Sequence, residues 1–227
     1  MSIAARELGT TVRMSGPIHR HWSPRQREIF DKLQELFLAE GFRHLTIADL
    51  VDRLHCSRRT LYSLAPSREE LVLIVIERLL NQMGMEASAR AAACSDPGDA
   101  IEAYLGSAVT TLRRAQPGFT QDLESYGPTK HLYDRHLRIA LDVLGKLVDG
   151  GVSQGVFRPL HPPLIAEILD AAVERIRRPD VLERSGVSMG QAVAELSELI
   201  RHGLVREPER TAPTGRPSSR RRGPPGT

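Results

Sequence analysis

The sequence has little of what several classes of protein depend on. Only two of its 227 residues are cysteines, Cys56 and Cys94, too few for a disulfide framework or for a four-ligand zinc site without histidine. Aromatic residues make up 4% of the chain, and no apolar run approaches the ~18 residues that a membrane-spanning helix needs. The first residues also lack the apolar stretch of a secretory signal. Together these absences predict a cytoplasmic protein that does not enter a membrane.

Motifs of catalysis and metal binding are also scarce. The chain has no P-loop, H-E-x-x-H or G-x-G-x-x-G pattern, and its histidines and carboxylates stand at no spacing that assembles an active site. His44, His55 and Cys56 are close in sequence, but they match no established set of metal ligands. The sequence therefore predicts that the protein is not an enzyme and that it uses neither a cofactor nor a metal.

Helical periodicity fills most of the chain. Apolar residues recur at spacings of three and four across residues 23–206, and no segment alternates apolar and polar residues as a strand does. Ser23, Thr46 and Ser188 each precede such a pattern and have Gln or Asp three residues later, which is typical of a helix start. Gly41 stands where a helix commonly ends. The sequence thus predicts an all-α fold.

Composition and periodicity divide the chain into four parts. Residues 1–22 show no sustained periodicity, and we interpret them as a flexible N-terminal arm. Residues 23–70 and 71–206 are helical, a small head followed by a larger body. Residues 207–227 are rich in Pro, Gly, Ser, Thr and Arg, so nothing in them offsets the entropy cost of ordering, and they are predicted to be a disordered basic tail. The basic residues of the N-terminal arm could enter a minor groove or be only part of a solvated segment. The arginine run at residues 220–222 could add salt-sensitive DNA affinity or serve only for solubility.

The stretch from Thr46 to Leu71 has the outline of a helix-turn-helix. A two-turn helix, a corner at residues 55–57 and a second short helix follow one another, and the second helix directs Arg58 and Arg59 outward. Side chains at the start of such a helix reach base edges in the major groove, and arginine can pair with guanine there. The pattern therefore indicates DNA binding. The alternative is an ordinary helical hairpin with a solvated basic face.

Residues 25–75 resemble the DNA-binding domain of the TetR (tetracycline repressor) family of bacterial regulators. The matching features are Phe37-x-x-x-Gly41-Phe42, Leu45-Thr46-Ile47-x-x-Leu50, Ser57-x-x-Thr60-Leu61-Tyr62 and Pro66-Ser67-Arg68-Glu69-Glu70-Leu71. The resemblance implies a homodimer with a three-helix DNA-binding head and a larger helical body that binds a small effector. It also implies a repressor, since repression is the default in this family.

The resemblance carries over individual contacts by position. It implies contacts to the DNA backbone or groove from four polar residues of the matched motifs: Thr46, Ser57, Thr60 and Tyr62. It also implies that Arg68 takes the phosphate-contacting role of a lysine that is usual in the family. Arg58 and Arg59 are added here from their charge and position alone. His55 stands at the corner, where the family usually has glycine, so we expect a positive φ at a residue that tolerates it at some cost.

Effector binding is expected among the helices between about residues 97 and 176. The polar or aromatic candidates for ligand contacts are Tyr104, Phe119, Tyr126 and Tyr133, with His131 and His136 beside them. Because aromatic residues are scarce, an aliphatic pocket for a hydrophobic molecule is favoured over an aromatic-lined one.

The dimer interface is expected on the last two helices, near residues 162–178 and 188–206. Their apolar stripes are Leu164, Ile168 and Val173 on the first helix, and Leu196, Ile200 and Leu204 on the second. A two-fold dimer favours a near-palindromic operator. The sequence therefore predicts a ligand-responsive transcriptional repressor that binds double-stranded DNA as a homodimer. The alternative is a helical protein-interaction module without specific DNA binding.

Overall fold

The computed structural model describes residues 22–204, so residues 1–21 of the flexible arm predicted for residues 1–22, and the disordered tail predicted for residues 207–227, lie outside the described residues. Trp22, the last residue of the predicted arm, packs against the core of the head, with its ring centre 4.0 Å from that of Phe30. Residues 22–204 form ten α-helices and no β-strand, which confirms the predicted all-α fold. In chain order the helices are α1 (Pro24–Glu40), α2 (Ile47–Leu54), α3 (Arg58–Leu64), α4 (Arg68–Ala92), α5 (Pro97–Leu112), α6 (Pro117–Ser125), α7 (Gly127–Ser153), α8 (Pro162–Ile176), α9 (Pro179–Ser185) and α10 (Met189–Leu204).

Side-chain hydrogen bonds begin three of the helices where the sequence predicts. Ser23, Thr46 and Ser188 each accept a bond from the backbone N–H three residues later, and the side chain at that later position accepts one in return. These reciprocal bonds satisfy N–H groups that a helix start leaves without intrahelical partners. Gly41 follows the end of α1 with a φ of +82°, a conformation that glycine adopts readily.

Two features are not marked by the apolar periodicity of the sequence. Helix α7 begins at Gly127 and passes through three further glycines to end at Ser153. Helix α9 has no counterpart in the apolar pattern because none of its residues is buried. Its boundaries follow from local chemistry instead: a proline occupies its first turn, and Gly186 after its end has a φ of +68°.

The core of the head continues into the body. The head contributes large buried side chains from α1, α2 and α3, such as Phe30, Leu50 and Leu61. Phe119 from α6 and Tyr133 from α7 belong to the same cluster. Helix α4 packs against α1 on one side and against α5 and α7 on the other, and the boundary expected at residue 70 falls within its first turn. The head is therefore joined to the body by a shared apolar core as well as by the chain.

A second core lies inside the body. It brings together α4, α5, α7, α8 and α10, with Ile101, Val143 and Leu169 among its buried side chains. None of the helices in residues 22–204 is both long enough and apolar enough to cross a membrane.

The corner between α2 and α3 adopts the conformation expected from the sequence. His55 follows α2 with φ 49° and ψ 51°, which is the left-handed region, and it is the one non-glycine residue with a positive φ among residues 22–204. Its N–H bonds back to Asp52 O, and the next N–H bonds back to Val51 O. The corner thus turns the chain tightly between the two helices.

We expect His55→Val to lower the free energy of unfolding by about 1–2 kcal/mol, since a β-branched residue is strongly disfavoured in the left-handed region. Urea denaturation measures this change. His44→Val is the matched control because His44 is exposed and has an ordinary φ. His55→Gly should be at least as stable as the wild type, and equal losses in the two valine variants would contradict the assignment of strain to this corner.

Candidate functional site

Helix α3 presents an exposed basic surface. Leu61 and Leu64 anchor it in the core of the head, while Arg58 and Arg59 are exposed and Tyr62 is 52% exposed. Neither arginine has an ion pair or hydrogen bond to another residue within 22–204. Their charges are therefore free to meet an anionic partner. This is the arrangement that a helix needs in order to read DNA in the major groove.

Hydroxyl groups that are expected to contact DNA cap the N-termini of α2 and α3. Ser57 Oγ accepts from Thr60 N at 3.0 Å and lies 2.8 Å from Thr60 Oγ1. Thr46 Oγ1 donates to Asp49 Oδ2 at 2.7 Å and accepts from Asp49 N at 3.3 Å. Thr46 and Ser57 are exposed at helix N-termini, where free N–H groups attract phosphate. The structure therefore gives them a structural role and leaves the DNA contact a prediction.

Arg68 is placed differently from the other candidates. Its Nε donates to Leu45 O at 2.5 Å, and its Nη2 donates to Phe42 O at 2.6 Å and to Arg43 O at 2.8 Å. The side chain thus fastens the loop between α1 and α2 to the start of α4. Its Nη1 lies 3.6 Å from Glu69 and is the nitrogen left for the expected phosphate contact.

Helix α6 is fastened to the same loop from the body side. Asp122 Oδ2 accepts hydrogen bonds from Phe42 N at 2.6 Å and from Arg43 N at 2.9 Å. Just before α6, Gln116 N donates to Leu38 O at 2.8 Å. Sequence reasoning does not find these residues because the partners are about eighty positions apart and no local pattern marks them. These bonds therefore tie α6 directly to the backbone of the head.

A buried arginine lies where α6, α7 and α8 meet. Arg177 is 5% exposed, and its guanidinium nitrogens lie 2.6 Å from Asp134, 2.6 Å from Glu174 and 3.5 Å from Glu124. Its guanidinium carbon is 5.6 Å from the centre of the Tyr133 ring. Burial raises the pKa of the Glu124 carboxyl, and the Arg177 charge offsets this only in part. This ion-pair cluster joins the ring of Tyr133 on α7 to the end of α6.

The body contains an apolar cavity of about 120 Å³ between α4, α5, α7, α8 and α10. Aliphatic side chains such as Leu144, Val173 and Ile200 form most of its wall. No Asp, Glu, Lys or Arg of residues 22–204 lines it. The polar side chains in the wall are those of Tyr104, Tyr133, His136 and Ser197.

Two of these polar groups are already used within the protein. The Tyr104 hydroxyl donates to Ala140 O at 3.1 Å, and Ser197 Oγ donates to the carbonyl four residues earlier at 2.7 Å. The Tyr133 hydroxyl and the His136 imidazole have no hydrogen-bond partner within residues 22–204. Burial lowers the pKa of His136 to about 4, so the imidazole is neutral at pH 7.

The candidates for ligand contacts separate into two groups. Three of the six line the cavity: Tyr104, Tyr133 and His136. Phe119 is instead buried in the core shared by head and body, and Tyr126 packs against that core where α7 begins. His131 is exposed. Phe119 and Tyr126 therefore belong to the contact between head and body rather than to the cavity, because α6 carries this part of the chain toward the head.

A short motif near the end of α7 resembles a catalytic one. Residues 151–155 spell G-x-S-x-G, the pattern that places the nucleophile of many serine hydrolases on a sharp strand-to-helix turn. Here Ser153 is the last residue of a long helix. The motif therefore lacks the backbone geometry that makes such a serine a nucleophile.

The cluster of His44, His55 and Cys56 gives no metal site. Within residues 22–204, no group of three or more His, Cys, Asp or Glu side chains is arranged to hold a metal ion. Burial raises the pKa of the Cys56 thiol, and this side chain packs against the core of the head. Cys56 is therefore a small packing residue rather than an activated thiolate.

Comparison with known families and structures agrees with this geometry. Residues 29–75, which hold α2, α3 and parts of α1 and α4, match the model of the family described as bacterial regulatory proteins, tetR family. No protein of curated function matches the chain by sequence.

Solved structures share the fold over most of the chain. The TetR family transcriptional regulator PfmR from Thermus thermophilus is 25% identical, with a TM-score of 0.53 over 78% of this chain and 99% of its own. A transcriptional regulator from Saccharomonospora viridis in complex with choline is 20% identical, with a TM-score of 0.60 over 82% and 100%. A TetR transcription regulator from Haloarcula marismortui is 14% identical, with a TM-score of 0.64 over 82% and 100%.

The N-terminal domain therefore belongs to the TetR family of bacterial regulatory proteins, and the chain as a whole has the fold of a TetR-family transcriptional regulator.

Proposed function

We propose that the protein acts in the cytoplasm as a ligand-responsive transcriptional repressor, which binds a near-palindromic operator as a homodimer. The observation that carries the proposal is the surface of α3, where Arg58 and Arg59 are exposed and unpaired within the described residues beside the exposed ring of Tyr62. In this proposal α3 enters the major groove. Its arginines contact guanine edges or phosphates there, and Tyr62 contacts the backbone or groove.

The polar groups around α3 would position the head on the duplex. Thr46 and Ser57 lie at exposed helix starts, and each would offer a hydroxyl and nearby N–H groups to a phosphate. Thr60 would act through its own hydroxyl, which is hydrogen-bonded to that of Ser57. Arg68 would reach a phosphate only with Nη1, since its Nε and Nη2 donate to backbone carbonyls of the loop between α1 and α2. We therefore assign most of the sequence specificity to Arg58 and Arg59.

A homodimer is supported by apolar side chains that the chain leaves in solvent. Leu164 and Ile168 on α8 are 57% and 53% exposed and lie one turn apart. Leu199 on α10 is 72% exposed, whereas Ile200 and Leu204 on the same helix are buried in the chain's own core. These two helices would pack against their two-fold copies, with the outward residues at the seam. The dimer would then present two α3 helices to two half-sites.

Ligand response is supported by a continuous set of contacts from the cavity to the head. Tyr133 lines the cavity and lies under Arg177, which pairs with Glu124 on α6. Two residues earlier on α6, Asp122 holds the backbone of Phe42 in the head. A ligand that favours one position of α6 would thereby favour one position of the head, by no more than its difference in affinity between the two states.

The DNA-binding proposal is tested by fluorescence anisotropy on duplexes that tile the gene's own upstream region, at two salt concentrations. We expect tight binding to one near-palindromic duplex. Arg58→Ala/Arg59→Ala should weaken binding at least about tenfold. It should also make the slope of the logarithm of the binding constant against the logarithm of salt concentration shallower by about 1–2, because fewer counterions are released when phosphate contacts are lost. Arg178→Ala/Arg184→Ala is the matched control because it removes two exposed arginines from the body.

Equal effects of the two double variants would contradict the assignment of DNA contacts to α3. Failure of the folded wild type to bind any duplex at low salt would favour the alternative of a protein-interaction module.

The dimer is tested by sedimentation velocity at micromolar concentration. We expect the wild type to be a dimer, and Ile168→Glu and Leu199→Glu to shift it toward monomer, because each variant places a desolvated charge in the seam. Both should also weaken operator binding, since a monomer reads one half-site. Met85→Glu is the control, because Met85 is an exposed apolar residue on α4. Dimers in both seam variants would show that the interface lies elsewhere.

The connection between α6 and the head is tested with Asp122→Ala, which leaves the N–H groups of Phe42 and Arg43 without their acceptor. We expect faster amide hydrogen exchange at residues 42–43 and a free energy of unfolding lower by about 1.5–3 kcal/mol, as for other bonds to a charged acceptor. Asp122→Asn keeps one acceptor oxygen, so its exchange rates and its free energy of unfolding should lie between those of the wild type and those of Asp122→Ala. Asp149→Ala, at an exposed position on α7, is the control, and unchanged exchange at residues 42–43 would overturn the assignment.

A further inference from the structure

The cavity in the body limits the chemistry of the molecule that can occupy it. The following inference rests on the proposed function, in that it assigns a ligand class to the cavity of a ligand-responsive repressor. The cavity wall is aliphatic over most of its extent and contains no formal charge from residues 22–204. An ionised ligand buried there would lose its hydration without gaining an ionic partner, which is strongly unfavourable. The wall therefore selects for an uncharged molecule.

The charged group that lies against the Tyr133 ring is not available to a ligand. Arg177 lies beyond the Tyr133 ring and is 5% exposed. Two of its nitrogens lie 2.6 Å from carboxylates, and the third lies 3.5 Å from one more. An anionic ligand would have to displace one of these carboxylates in order to reach the guanidinium. The ion-pair cluster therefore gives the cavity no cationic site.

Two polar groups in the wall are free to bind a ligand. The Tyr133 hydroxyl and the His136 imidazole lie three positions apart on α7, which places them on the same face of the helix. Tyr133 is 7% exposed and His136 is 8% exposed, and neither has a hydrogen-bond partner within residues 22–204. The Tyr133 hydroxyl and the His136 nitrogens are not among the fully buried unpaired atoms of residues 22–204, so they keep surface that a bound molecule can reach. A ligand oxygen that bonds to both would satisfy them together.

The size of the cavity limits the ligand further. Its volume of about 120 Å³ is close to the roughly 150 Å³ of a dry apolar cavity that binds benzene. A single six-membered ring or a comparably short chain therefore fills it as it stands.

We propose that the effector is a small, uncharged, mainly apolar molecule of about one ring, held through a single carbonyl or hydroxyl oxygen by Tyr133 and His136. A carbonyl oxygen has lone pairs for the Tyr133 hydroxyl and for an imidazole N–H. A hydroxyl accepts from Tyr133 and donates to the unprotonated imidazole nitrogen. The remainder of the molecule packs against the aliphatic wall.

The test is a calorimetric or ligand-observed NMR titration of the full chain with small compounds of similar size. Cyclohexanone and cyclohexanol carry the oxygen, methylcyclohexane lacks it, cyclohexanecarboxylate is an anion, and choline is a cation. We expect the ketone or the alcohol to bind at least three- to tenfold more tightly than methylcyclohexane, which is the range of one or two hydrogen bonds. The two charged compounds should not bind.

Tyr133→Phe removes the hydroxyl and keeps the ring. It should reduce the affinity for the ketone and the alcohol about three- to tenfold and leave that for methylcyclohexane unchanged. Tyr104→Phe is the matched control, because its hydroxyl lines the same cavity but already donates to Ala140 O. It should change ligand affinity less than twofold. His136→Leu alone should also reduce the preference for the ketone and the alcohol over methylcyclohexane.

Tighter binding of the anion or of choline, or equal effects of the two tyrosine variants, would overturn the proposed ligand class. Failure of all the uncharged compounds to bind would overturn it as well. Operator binding is measured in parallel by anisotropy, so that this failure is distinguished from failure of the proposed function. Binding of the ketone without any change in DNA affinity would leave the ligand class standing and contradict the ligand response.

Discussion

The close contact between the α1–α2 loop and the start of α6 is the constraint on which the rest of the arrangement depends. A β-carbon at Gly41 would lie 2.6 Å from Asp122 Oδ2 and 3.0 Å from Gly118 O, and one at Gly118 would lie 3.1 Å from Glu40 O. The two backbones thus approach as closely as glycine permits. At this distance Asp122 can accept from two N–H groups of the loop at once. Larger residues would force the segments apart and break both bonds.

The same loop is held from its other side by Arg68, whose guanidinium donates to three of its carbonyl groups. A short loop between helices has few hydrogen bonds of its own, and its polar groups must find partners elsewhere. Here a carboxylate satisfies its N–H groups and a guanidinium satisfies its carbonyl groups. The loop is therefore tied to both α4 and α6, and in the proposed ligand response these bonds would carry a displacement of α6 to α2 and α3.

Helix starts and turn conformations could be predicted from the sequence, whereas contacts between distant segments could not. Ser23, Thr46 and Ser188 mark helix starts because a helix cap involves residues three positions apart. The positive φ at His55 follows from the matched family pattern in the same local way. The roles of Asp122 and Arg177 could not be predicted, because their partners come from other helices and no spacing along the chain reveals them. Arg68 shows the limit most clearly, since a motif position that implies a phosphate contact also holds a loop.

The ion-pair cluster around Arg177 lies between the uncharged cavity and α6, the helix whose Asp122 contacts the head. Burying one arginine alone would be costly, and three surrounding carboxylates compensate for its charge. The Tyr133 ring lies between this cluster and the cavity, so that one face of the ring meets the guanidinium while the residue also forms part of the apolar wall. A cation on the face of an aromatic ring is sensitive to the position of that ring. In the proposed ligand response, a ligand that moves Tyr133 would thus change the surroundings of Arg177, and with them its pairing to Glu124 on α6, without itself carrying any charge.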